Sequence, residues 1–156
     1  MWKKHPKALP FLFFSEMWER FGYYLMIGIF TLYLKDVKAG FAMTEAESAD
    51  LYGTFIALVF LTPFLGGLIA DRYWGYRKSI IIGGLLMGAG YLLMSVHSLP
   101  VLYLSMTLVI VGNGFFKPNI STLLGNVYTT PEHNHQKDEG YNIFYMGINV
   151  GAFICN

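Results

Sequence analysis

The sequence predicts an all-α, polytopic membrane protein, and three observations carry that prediction. Only 13% of the 156 residues are charged, against 54% hydrophobic and 17% aromatic; a soluble domain of this size carries about 25% charged residues. The apolar residues gather into runs near the ~20 residues a helix needs to cross a bilayer. The connections between the runs differ in length and charge, and taken alternately they sort into two sides of unequal basicity.

The expected helices are 9–34, 49–70, 79–96, 100–124 and a fifth from 141, still running at 156. Ahead of the first, Lys3, Lys4 and Lys7 precede an apolar stretch and so imitate a secretion signal. The run 9–34 is too long for a signal's apolar region and holds charges, so it reads as a retained span. Pro63, Gly66 and Gly67 fall inside the second run. Gly83, Gly84, Gly88 and Gly90 fall in the third, and Gly112, Gly114 and Pro118 in the fourth. In water these would argue against helices; in a membrane neighbouring helices tolerate them. The spacing of Gly83-Gly84 and Gly88-Gly90 predicts close helix–helix approach. With the N-terminus inside, seven basic residues lie inside (Lys3, Lys4, Lys7, Arg72, Arg77, Lys78, Lys137) and two outside (Lys35, Lys38). The positive-inside bias therefore predicts a cytoplasmic N-terminus. The chain stops in an apolar segment without a polar flank, so a piece of a larger protein is expected.

Several function classes are excluded. A net charge of +1 offers no footprint for nucleic acid. A single cysteine, Cys155, permits no internal disulfide, and the scattered histidines 5, 97, 133 and 135 have no metal-ligand spacing. No metal and no cofactor are expected. No nucleophile–base pair or phosphate loop is visible, and Gly112-x-Gly114 lacks the rest of a dinucleotide fingerprint. The chain does not read as an enzyme.

The informative residues are four charges at membrane depth: Glu16, Glu19, Arg20 and Lys117. Each costs roughly 2.5–3.5 kcal/mol at mid-helix on insertion scales, so pairing or a wet cavity is the default. Glu16, Glu19 and Arg20 are spaced three and four apart, which places all three on one helix face, and Tyr23 and Tyr24 extend it by a turn. At 1.5 Å per residue the cluster lies roughly 10–16 Å deep. A static ion pair locking the first helix would need one acid for one base. Two acids sharing a base do not both ionise easily, the property of a proton carrier. Lys117, in Gly112-Asn113-Gly114-Phe115-Phe116-Lys117-Pro118-Asn119, reads either as the second base of this network or as a snorkelling lysine near the inner helix end. Between the second and third helices, Asp71 sits unfavourably at a helix C-terminus unless cations are near, and Arg72, Arg77 and Lys78 supply them. They read as a topology signal or as a charged latch between helices.

These residues also resemble known motifs. Gly67-Leu68-Ile69-Ala70-Asp71-Arg72-Tyr73-Trp74-Gly75-Tyr76-Arg77-Lys78 is similar to the helix 2–3 loop of the major facilitator superfamily. Glu16-x-x-Glu19-Arg20-Phe21-x-Tyr23-Tyr24 resembles the first-helix motif of its proton-dependent oligopeptide transporter (POT) family. Residues 112–121 and Phe144-Tyr145-Met146-Gly147-Ile148-Asn149-x-Gly151 resemble that family's helix 4 and helix 5 signatures. The resemblance implies the first four helices and start of the fifth of an N-terminal six-helix bundle, facing a C-terminal bundle outside this chain. It implies import of di- and tripeptides by alternating access, with protons as the coupling ion, in a cell membrane such as a bacterial inner membrane. Glu16, Glu19, Arg20 and Lys117 would couple protons. Arg20, Tyr23, Tyr24, Lys117 and Asn149 would meet the peptide, and Gly67, Asp71, Arg72, Gly75, Arg77 and Lys78 would gate. The chain departs from the pattern at Ile27, where many members carry a carboxylate-binding Arg, at Phe60, where many carry Tyr, and at Gly53, where animal members carry His. Ile27 opens the alternative of another small solute, such as an amino acid or nitrate.

Overall fold

The computed structural model describes residues 2–155, apart from the Lys3 side chain. The fifth helix's expected continuation through Asn156 and the Lys3 charge counted on the inner side lie outside the described residues. The described residues form five long helices and no strand: α1 (Ala8–Lys35), α2 (Glu45–Ile69), α3 (Tyr76–Leu93), α4 (Leu99–Val127) and α5 (Lys137–Cys155). A π-helical turn, Ala70–Trp74, extends α2, and short 3-10 turns lie at Trp2–Lys4 and Asn134–Gln136. The helix α2 with its π turn (30 residues) and α4 (29 residues) are long and apolar enough to cross a membrane by length and composition. Phe11, Phe64, Leu85, Leu92 and Phe153 are all exposed, an apolar surface out of place in water but suited to lipid or a further bundle.

Helix ends differ from the apolar runs because caps, not hydropathy, set them. The helix α2 starts at Glu45, four residues before the apolar run. Thr44 and Glu47 close a reciprocal capping box there: Glu47 N donates to Thr44 Oγ1 at 3.3 Å and Thr44 N to Glu47 Oε2 at 2.9 Å. The expected eight-residue loop 71–78 shrinks to one non-helical residue, Gly75, whose φ of 74° suits a residue without Cβ. The helix α5 begins at Lys137, ahead of its apolar run, with Asp138 and Glu139 in its first turn, where acids complement the helix dipole.

The chain divides into two compact units, Met26–Asn119 and Met1–Leu25 with Ile120–Asn156. In the first, α2, α3 and α4 pack at glycines. A Cβ on Gly66 would collide with the Gly114 carbonyl, and one on Gly83 would lie 2.6 Å from the Gly112 carbonyl, so backbones touch there directly. Of the third helix's predicted contact glycines, Gly83 and Gly90 face α4 closely, whereas Gly88 has nothing within 4 Å. Pro63 cannot donate to the carbonyl four residues back, Val59 O. Buried Asn113 of α4 donates to that oxygen instead, at 3.0 Å. Thr62 donates to Ile110 O at 2.9 Å beside it. These bonds set the α2–α4 register. In the other unit, Gly147 and Gly151 of α5 lie against the α1 backbone at Phe13 and Met17. The Tyr141 hydroxyl donates to Ser121 O at 3.0 Å.

Candidate functional site

Apolar residues on α1 alternate with the charged turn 16–20, and helical geometry decides which charges meet. Glu16 and Arg20, four apart, form the expected pair, with Arg20 Nε 3.4 Å from Glu16 Oε1. The tighter partner is the adjacent Glu19. Residues i and i+1 ordinarily point apart, yet the guanidinium turns back so that Nη2 donates to Glu19 Oε1 at 2.7 Å and Nε donates to Glu19 Oε2. This is the two-pronged geometry in which Arg holds a carboxylate best. The three side chains are only 4–7% exposed. Tyr23, buried, lies under the guanidinium, with its ring centroid 5.0 Å from Arg20 Cζ. A cation above a ring face adds attraction that needs no hydrogen bond.

One guanidinium therefore serves two buried carboxylates. If either acid takes a proton, the other can keep Arg20 neutralised, so the cluster can exchange a proton without leaving a bare buried cation. The same fork, released from one acid, presents donors that fit an incoming carboxylate.

The remaining predicted residues are placed as follows. Tyr24 is half-exposed, edge-on to Tyr23 with centroids 5.8 Å apart. Asn149 is exposed on α5, on the side away from the Gly147–Gly151 face that meets α1. Lys117, within the 26–119 unit, holds its Nζ 5.1 Å from the centroid of the Phe60 ring. Phe60, noted in the sequence only as a departure, is thus a seat for this ammonium. Asn113 lies one turn before Lys117, and its bond to Val59 O fixes α4 against the stretch of α2 that carries Phe60. Its signal was legible: Pro63 announces a free carbonyl at Val59.

The predicted gating residues sit at the α2–α3 corner. Gly67 comes near Pro118, 3.7 Å from where its Cβ would stand. Asp71 and Arg72 lie exposed in the π turn, and Arg77 and Lys78 lie exposed in the first turn of α3. No ion pair within 4.0 Å joins these four to one another among the described residues. The corner is held by other means. Gly75 N donates to Ala70 O at 2.8 Å, Ser79 Oγ donates to Gly75 O at 3.0 Å, and Trp74 stacks on Phe115 with centroids 5.2 Å apart.

Known proteins are similar to this chain in sequence and in fold. The sequence model of the POT family matches residues 77–156. Dipeptide and tripeptide permease A of Escherichia coli (strain K12) is 38% identical over 152 residues, covering 96% of this chain and 29% of that protein. The di-/tripeptide transporter of Lactococcus lactis subsp. lactis (strain IL1403) is 36% identical over 155 residues, covering 96% of this chain and 31% of that protein. A crystal structure of a POT family transporter in complex with a thioalcohol-conjugated peptide matches with a TM-score of 0.92 at 34% identity, covering 99% of this chain and 32% of that one. The chain thus spans about a third of the length of these relatives.

Proposed function

This chain belongs to the POT family, and from that premise we propose that the whole protein is a proton-coupled symporter importing di- and tripeptides by alternating access. The observation that carries the reading is the sharing of Arg20 between the buried carboxylates of Glu16 and Glu19. Protonating one acid frees part of the guanidinium for the peptide carboxylate; loss of the proton draws it back and releases the peptide. Glu16, Glu19, Arg20 and Lys117 form the coupling set. Arg20, Tyr23, Tyr24, Lys117 and Asn149 meet the substrate, and Gly67, Asp71, Arg72, Gly75, Arg77 and Lys78 form the cytoplasmic gate. A C-terminal bundle of the same protein supplies the other half of the cavity. The protein lies in a bacterial inner membrane with its N-terminus in the cytoplasm, as the basic inner connections favour.

Peptides are preferred over other small solutes because the named relatives are di-/tripeptide permeases and a solved relative holds a peptide conjugate. Ile27, where a second guanidinium would stand in many members, leaves Arg20 as the carboxylate-binding group of α1. The test is uptake of a labelled dipeptide into proteoliposomes containing the full-length protein. Glu19→Gln abolishes uptake driven by a pH gradient while counterflow exchange survives. Gradient-driven uptake at the wild-type rate in that variant removes the coupling role, and failure of every dipeptide to compete removes the peptide.

A further inference from the structure

Outside the charged cluster, one histidine is buried and unused by the proposed transport chemistry. His5 sits between the Trp2–Lys4 turn and α1, with its side chain 1% exposed. Trp2 packs edge-on against Phe13 of α1, with centroids 5.4 Å apart, and His5 N donates to Trp2 O at 3.2 Å, so the segment is anchored. His5 Nδ1 lies 2.8 Å from the Tyr128 hydroxyl, at the end of α4, and Nε2 lies 3.6 Å from Glu139 Oε1, in the first turn of α5. Tyr128 is fully buried, and its ring lies so close to Gly140 that no Cβ would fit between them.

Each imidazole nitrogen thus faces a group that serves it in either protonation state. When the ring is neutral, the Tyr128 hydroxyl donates to Nδ1 and Nε2–H points at Glu139. When it is protonated, Nδ1–H donates to the phenol oxygen and the cation gains the Glu139 carboxylate. Burial first, and the Glu139 charge second, push the Tyr128 phenol above its ordinary range, so it keeps the proton it must donate. Glu139 is 65% exposed, which opens the joint to protons from solvent.

We propose that His5, Tyr128 and Glu139 form a proton-strengthened latch fastening the amino-terminal segment to the α4–α5 connection. The latch does not rest on the transport reading, and its test needs no transport. Hydrogen exchange is followed in the full-length protein at about pH 6 and about pH 8. Rates are corrected for the intrinsic pH dependence of exchange. Because one partner is exposed and screened, peptides covering 2–7 and 126–140 gain about two- to fivefold protection at the lower pH. Lys4 and Lys7 flank His5, Lys137 and Asp138 precede Glu139, and His133 (4.0 Å from Glu132) and His135 lie in the same connection. The decisive readout is therefore the comparison with Glu139→Gln, an exposed change that leaves packing alone. Glu139→Gln removes the extra protection at pH 6, and Tyr128→Phe lowers protection at pH 8 yet retains the pH effect. No extra protection at pH 6 in the wild type, or the same extra protection in Glu139→Gln, overturns the proposal.

Discussion

Replacing Asn113 by Ala should weaken the α2–α4 contact by an amount that depends on Pro63. Pro63 leaves Val59 O without its helical donor, and Asn113 Nδ2 supplies one at 3.0 Å from a fully buried position. Losing that donor strands a buried carbonyl, which costs about 1–3 kcal/mol in proteins generally. Interhelical bonds in membranes average about 0.6 kcal/mol, with a maximum near 1.7. Because Pro63 denies Val59 O the local alternative, Asn113→Ala belongs at the upper end, about 1–2 kcal/mol. Pro63→Ala restores an N–H four residues after Val59. In that background Asn113→Ala should lose about 1 kcal/mol less, a coupling of the size neighbouring groups show. The assay is an unfolding titration of the full-length protein in mixed micelles for the wild type, both single variants and the double variant. An equal penalty for Asn113→Ala in both backgrounds refutes the reasoning, because Asn113 would then act through something other than Val59 O.

Other outcomes follow from the same geometry. Gly66→Ala places a methyl on the Gly114 carbonyl and should cost about 1–3 kcal/mol by overpacking, whereas Gly88→Ala, with nothing within 4 Å, should stay within about 0.5 kcal/mol; the same titration compares them. Phe60→Leu removes the ring beneath Lys117 Nζ, an attraction of about 0.5–2 kcal/mol, and should shift the pH profile of uptake while Phe60→Tyr restores it; an unmoved profile in Phe60→Leu counts against the seat. Backbone N–H groups of Ala39 and Lys38 hold the Asp36 carboxyl below its ordinary range. A carboxyl depressed on folding stabilises above its unfolded pKa and stops doing so as pH falls through the folded one. Asp36 should therefore add no pH dependence between about 5 and 8, and Asp36→Asn should leave the pH profile of uptake unchanged over that window.

How much was legible varies with the kind of interaction. The five helices could be read because apolar length is a property of each segment alone. The ends of α2 and the size of the α2–α3 corner were misplaced because hydropathy says where lipid begins, while Thr44, Glu47 and Gly75 decide where a helix begins and bends. In the candidate site, the spacing of Glu16, Glu19 and Arg20 correctly implied a shared buried cluster. It left open which acid the guanidinium grips more closely; the fork closes on Glu19, because a long flexible guanidinium can turn back along its own helix. Nothing in the local pattern marked His5, whose partners lie more than 120 residues away.

By itself, then, the sequence determined that this chain is helical, apolar enough for a membrane and burdened with four charges that need partners, because each property is a sum over near neighbours in the chain. The tertiary structure decided which partners those charges take, which glycines let backbones touch and which carbonyl Asn113 must serve. Such choices depend on the register of one helix against another, and register is set by side chains that meet only when the helices have packed.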